Sequence, residues 1–156
     1  MQAAQTPARY IRPDGFTRRV FNPFIARLTK LGISMWGSRV LAVPGRVSGR
    51  VRTTPVNLLT VGDDRYLVAP RGVTEWVKNV RVAGGCSLSV GRRVEQVRLV
   101  EVADERKPQI LRDYLRRWKW EVGQFFEGVG PDATDEQLLA IAPGYPVFRV
   151  EPTGAA

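Results

Sequence analysis

Histidine is absent from these 156 residues, and cysteine occurs once, as Cys86. Without histidine there is no Ser-His-Asp or Cys-His machinery, and no histidine-ligated metal or haem. A single cysteine forms no internal disulfide, which fits a reducing compartment. No apolar run reaches the about 18 residues that a membrane-spanning helix requires. The opening stretch MQAAQTPARYIRPDG lacks the apolar core of a secretory leader. What remains is an ordinary globular composition, 44% hydrophobic and 25% charged, long enough for one domain with a real core.

Charge is abundant but uneven. The net charge is +9, and residues 1–52 carry all of that excess. Arg9, Arg12, Arg18, Arg19, Arg27, Lys30, Arg39, Arg46, Arg50 and Arg52 face Asp14 as the sole acid there, while residues 53–156 balance to zero. An anionic partner is therefore expected at the N-terminal third. Charge alone does not distinguish nucleic acid, an anionic membrane and a polyanionic small molecule.

Residues 1–16 read as a loose lead-in with a Pro-Asp-Gly turn signal, and 17–156 as one domain. From Thr17, the residues Val20, Phe21, Phe24, Ile25, Leu28 and Leu31 recur at helical spacing, bordered by Arg18, Arg19, Arg27 and Lys30. Pro23 either kinks this helix or marks its first turn. Two readings stand side by side: a helix packed on the core with solvated basic edges, and a basic amphipathic helix at an anionic membrane surface.

Beyond Gly37 the pattern turns to strands, expected at Arg39–Val43, Thr54–Val61, Arg65–Ala69, Cys86–Val90, Val94–Val102 and Tyr145–Val150. Helices are expected over Val73–Val82, from an Asp104 N-cap to about Trp120, and over Asp135–Ile141. About six strands at meander spacing, with several helices, make an α+β chain built on a small antiparallel barrel or sheet.

The segment Gly45-Arg46-Val47-Ser48-Gly49-Arg50-Val51-Arg52 is the most informative. Its glycines admit close backbone approach, its amides can form an anion-binding nest, and its arginines can grip phosphate or carboxylate. It ends in neither Gly-Lys-Ser/Thr nor a dinucleotide fingerprint, so it is not a Walker or Rossmann loop. A plain solvated hairpin is the competing reading.

Two later segments sharpen it: Ala69-Pro70-Arg71-Gly72 after a strand, and Trp76-x-x-Asn79-Val80-Arg81 on the next helix. Together with Gly45-Arg46-x-Ser48-Gly49-x-x-Arg52-x-x-Pro55, Val20-Phe21-Asn22-Pro23 and the ending Pro146–Pro152, the chain resembles the deazaflavin-dependent nitroreductase family over nearly its whole length. The likeness weakens between about Leu111 and Gly144.

The resemblance implies a split β-barrel that binds coenzyme F-420, with a planar deazaflavin at one end and a phosphate and polyglutamate tail at the other. It implies that Arg46, Ser48, Gly49 and Arg52 bind the tail and phosphate. Thr54, Pro55 and Val56 pass behind the ring. Pro70, Arg71 and Gly72 form a second anion turn, and Trp76, Asn79 and Val80 contact ring and ribityl. Val47 stands where many relatives carry Lys, and Pro70 where many carry Ser; Arg50 is the neighbouring cation that offsets the loss. Some relatives bring tyrosines over the ring from the stretch matching Trp118–Phe126. Tyr114, Trp118 and Phe125 are accordingly expected at the substrate, against the alternative that the stretch is core.

The expected activity is hydride transfer from the reduced coenzyme to a quinone, nitro compound, enone or similar acceptor, in a cytoplasmic protein with a peripheral membrane contact. The alternatives are an FMN-binding split barrel and a non-enzymatic lipid- or fatty-acid-binding module. Nucleic-acid binding is disfavoured because the aromatics sit on apolar faces rather than among the basic residues.

Overall fold

The computed structural model describes residues 37–153. The lead-in and the helix expected from Thr17 to Leu31 lie outside the described residues. Six strands alternate with three helices: β1 (Ser38–Pro44), β2 (Val51–Val61), β3 (Asp64–Val68), α1 (Glu75–Ala83), β4 (Gly85–Val90), β5 (Arg93–Glu101), α2 (Lys107–Val122), α3 (Asp135–Ile141) and β6 (Val147–Pro152). Every neighbouring pair is antiparallel, and the sheet closes on itself in the order β1-β2-β3-β6-β5-β4. Closure removes the free edges that an open sheet of this size would expose.

Register explains the interior. Leu41 sits opposite Leu88, Leu58 opposite Leu67, Leu67 opposite Phe148, and Leu99 opposite Val150. Because side chains alternate across a strand, these residues all point inward and form one core. Helix α1 covers one mouth of the barrel. Its Val77 and Val80 are buried in that core, and its Trp76 ring lies 5.7 Å from Phe148 at 54°. Toward the opposite mouth Arg65 and Glu95, which share the inward face with Leu67 and Val97, pair through two 2.7 Å hydrogen bonds. Arg39 lies close enough for burial, and then the charges of Arg65, Arg117 and Arg93, to hold its guanidinium below the usual arginine range.

A second core lies outside the barrel. Leu59, Val68 and Val147 point away from the interior and meet Ile110, Leu111, Tyr114, Leu115 and Trp118 of α2 and Leu138 of α3. Phe126 and Tyr145 stack within it at 4.2 Å and 9°.

Within the described residues the expected strands and helices are present, with local differences. β2 begins at Val51, so Arg52 stands on the strand rather than in the loop. Asp104 is not the cap of α2. It opens a short 3-10 turn over Asp104–Arg106, and its carboxylate pairs with Lys107 Nζ at 2.7 Å. Lys107 is only 3% exposed and also donates to the carbonyl of Ala142 at 3.0 Å. A buried ammonium needs such partners, and that demand takes the carboxylate away from the helix end. α2 runs on to Val122, kinked at Trp118 (φ −126°, ψ 19°). α3 begins with a capping box between Thr134 and Gln137.

Two outcomes are expected. Trp118→Ala, at a fully buried position, should lower unfolding free energy by about 3–5 kcal/mol in chemical denaturation. Burial pushes the Cys86 thiol up to about 11. The native protein should therefore resist iodoacetamide at pH 8 and react once unfolded. Since the unfolded thiol ionises first, stability falls as pH rises from about 8.5 toward the folded value.

Candidate functional site

The hairpin between β1 and β2 is drawn tight by its own backbone. The Gly45 amide donates to the Arg50 carbonyl at 2.8 Å, the Gly49 amide to the Gly45 carbonyl at 2.9 Å, and the Arg50 amide to Ser48 Oγ at 3.2 Å. Gly49 holds φ +73°, a left-handed conformation that glycine adopts without penalty. A Cβ at Gly45 would stand 3.1 Å from the Arg50 carbonyl oxygen, a tight contact that the hairpin could take only by shifting a few tenths of an ångström.

The loop is clasped to α1. Asn79 is 4% exposed, and its Oδ1 accepts the Arg46 amide at 3.1 Å and the Arg46 guanidinium at 2.9 Å. Glu75, one turn earlier, takes the same guanidinium nitrogen at 2.8 Å. Arg46 beside Glu75 holds that carboxyl below the usual carboxylate range. Most of the loop's polar groups are thus spent internally. Among the described residues, the amides of Val47 and Ser48 have no acceptor, and the exposed Arg50 and Arg52 have no ionic partner. Val47 itself is 92% exposed. Two open amides beside two uncompensated guanidinium groups are a donor set suited to a phosphate or carboxylate chain.

The other expected residues divide into two groups. On β2, Val56 and Leu58 point into the barrel, so Pro55 and Asn57 face outward; Thr54 and Pro55 are half-buried. Pro70, Arg71 and Gly72 form the turn after β3, closed by the Gly72 amide donating to Ala69 at 3.1 Å. The Arg71 guanidinium lies 5.0 Å over the Phe125 ring, so the second anion turn and the aromatic stretch do meet. Trp76 and Asn79 stand on α1 beside the hairpin.

Five of the expected side chains give little or no surface to a ligand here, and Asn79, at 4% exposure with its Oδ1 taken twice by Arg46, is one of them. Val56 and Val80 are buried in the barrel core, at 9% and 2% exposure. Tyr114 and Trp118, at 2% and 0%, sit in the second core with ring centroids 5.1 Å apart. The core alternative accounts for those two aromatics, whose spacing keeps them on the buried face of α2. Trp120, on the opposite face, is 70% exposed. Glu75 escaped the sequence reading, although its i, i+4 spacing to Asn79 is the signal that puts both on one side of α1. Asn57 and Glu121 escaped it as well, because only the packing of α2 on β2 brings them together, Asn57 Nδ2 lying 3.5 Å from Glu121 Oε2.

With this geometry in place the chain is comparable with known proteins. Residues 19–124, more than half of the chain, match the family model described as F420H(2)-dependent quinone reductase. The chain belongs to that family. It is a coenzyme F-420-dependent reductase. Solved structures share the barrel. An F420-H2 dependent reductase superposes with a TM-score of 0.53 at 17% identity, covering 74% of this chain and 94% of that one. A structure described as a domain-swapped dimer gives 0.55 at 17% identity, covering 83% and 92%. General Stress Protein 26 from Bacillus anthracis str. Sterne gives 0.51 at 10% identity, covering 83% and 88%. At these identities the likeness concerns the split-barrel fold. No curated protein matches the chain. Among the described residues no helix is long and apolar enough to cross a membrane.

The clasp generates a prediction. Asn79→Ala should cost about 1–3 kcal/mol and accelerate hydrogen exchange at the Arg46 amide. Glu75→Gln removes only a surface pair, 65% exposed on the Glu75 side, and should cost about 0–1 kcal/mol.

Proposed function

We propose that this reductase passes a hydride from reduced coenzyme F-420 to a quinone-class acceptor, with its β1–β2 hairpin as the seat of the coenzyme's anionic tail. One observation carries this reading: among the described residues, Arg50 and Arg52 have no ionic partner and stand beside the Val47 and Ser48 amides that have no acceptor, in a loop tied to α1 through Arg46. Arg46 serves chiefly to fix the loop on α1, so the tail falls to Arg50 and Arg52. Ser48, Gly49, the Pro70–Gly72 turn and the outward side of Pro55 complete the binding surface, with Trp76 at its edge and the buried Asn79 holding the hairpin in place. Val47 and Pro70 bring no cation or hydroxyl to it, which places more of the load on Arg50.

When bound, the reduced coenzyme supplies the hydride; the protein supplies orientation and exclusion of water. Phe125, held under Arg71, and the exposed Trp120 are the apolar rings we assign to an acceptor wall, which suits a planar quinone better than a polar acceptor. A nitro compound or an enone presents a similar flat face and is the second acceptor class. Delivery of a lipid-dissolved quinone through the basic segment 18–30 completes the reading, and cosedimentation with anionic vesicles tests it.

Fluorescence titration with oxidised coenzyme F-420, with FMN in parallel, decides the cofactor role of the hairpin. Saturable binding of the deazaflavin is expected, with the dissociation constant raised at least about tenfold in Arg50→Ala/Arg52→Ala, as charge-assisted hydrogen bonds of about 1.5–3 kcal/mol imply. Unchanged affinity in a folded double variant removes the hairpin from the site. Preference for FMN would overturn the choice of coenzyme.

A further inference from the structure

Reduction of a quinone or enone by hydride leaves an oxyanion that needs a proton, and a chain without histidine must find that proton elsewhere. The family activity accounts for the hydride and names no donor on this chain.

One cluster adjoins the β2 surface proposed for the coenzyme. Asn57 is on the outward side of β2, two residues after Pro55, so it continues the surface that carries Pro55. Glu121, in the last turn of α2, accepts a long hydrogen bond from Asn57 Nδ2 at 3.5 Å. Tyr114, two turns earlier on α2, lies close enough to Asn57 and Glu121 for both to act on its hydroxyl. Trp120 and Phe125, the acceptor wall, flank Glu121 in sequence.

The surroundings of Glu121 suit a carboxyl that keeps its proton. Although the residue is exposed overall, burial pushes its carboxyl above the usual carboxylate range, with the Asn57 donation pulling the other way. No cation opposes that rise among the described residues. On its own helix, the Arg117 guanidinium is drawn over the Trp118 ring at 4.8 Å, and Lys119 reaches toward Gly130. From the β3–α1 turn, Arg71 is occupied with the Phe125 ring. From β2, Asn57 is the group that faces it, and from α2, Tyr114, whose own ionisation burial suppresses.

We infer that Glu121 is the proton donor of this reductase, with Asn57 as its positioning residue. The inference rests on the quinone-reductase reading of the site. In the step, the Glu121 O–H bond breaks as the new O–H bond of the reduced acceptor forms. The hydride has already brought both electrons, so Glu121 contributes only a proton. The carboxylate that remains is reprotonated from solvent.

Two measurements test it. Carbon-13 NMR titration of the protein without coenzyme, with the Glu121 signal assigned by its loss in Glu121→Gln, should show a midpoint above the about 4.3 of an ordinary glutamate. Asn57→Ala should move it higher still, because the donation that favours the carboxylate is gone. In steady-state turnover with reduced coenzyme F-420 and menadione, wild-type kcat should fall as pH rises through that midpoint. Glu121→Gln should lower kcat about 100-fold and abolish that limb, while its deazaflavin affinity stays unchanged in the fluorescence titration. An ordinary midpoint, or a Glu121→Gln enzyme with wild-type kcat and pH profile, overturns the role of Glu121 and leaves the reductase reading standing. A wild-type protein that binds no deazaflavin or turns over no menadione overturns the reading and this role with it.

Discussion

Strands β2, β3 and β6 bury both of their faces, and the rest of the molecule follows from that demand. Leu58, Leu67 and Phe148 point into the barrel, while Leu59, Val68 and Val147, their immediate neighbours in sequence, point to α2 and α3. On a strand apolar on both faces a one-residue slip would exchange the side chains of the two cores, so the fit of those side chains, rather than polarity, fixes the register. The barrel must therefore close with Leu41 against Leu88 and Leu58 against Leu67, and α2 must lie along the outside. That arrangement carries Pro55 and Asn57 to the surface between barrel and helix. It also sets the last turn of α2 beside them.

The hairpin at the other end of β2 answers to a different constraint. It stands beyond the hydrophobic contacts, so its shape depends on hydrogen bonds, and Asn79 supplies them by accepting twice from Arg46. A buried amide that serves two donors costs little to hold and fixes loop to helix. Because Arg46 meets Glu75 and Asn79 in this way, the positive field of the loop is carried by Arg50 and Arg52. One arginine thus builds the loop, and the two that have no ionic partner among the described residues are the ones proposed above for the coenzyme tail.

Much of the fold was legible beforehand. All six strands and the three helices of the described residues were expected within a few residues of where they stand, because alternation and helical spacing are local properties. The helix expected from Thr17 lies outside the described residues. The three segments that point to the family were also legible, since glycines, arginines and the Trp-x-x-Asn spacing are visible in one dimension. Two features were not. Asp104 reads as a helix cap from its place before α2, yet the buried Lys107 takes its carboxylate, and nothing local announces a buried lysine. Tyr114 and Trp118 read equally as substrate wall or core. Their burial is settled by what α2 packs against rather than by their own spacing.

By itself the amino-acid order determined which residues alternate, where the turns must fall, and that the positive charge gathers in the first third of the chain. It determined the family as well, through motifs whose residues lie close together in sequence. Tertiary structure alone decided that Arg46 is bonded to α1, that Tyr114 and Trp118 are core while Trp120 is exposed, and that Glu121 meets Asn57. Those outcomes depend on contacts between residues as far apart as Asn57 and Glu121, or Arg46 and Asn79. Such contacts arise only when a closed sheet and its helices pack, and neither spacing nor composition encodes them.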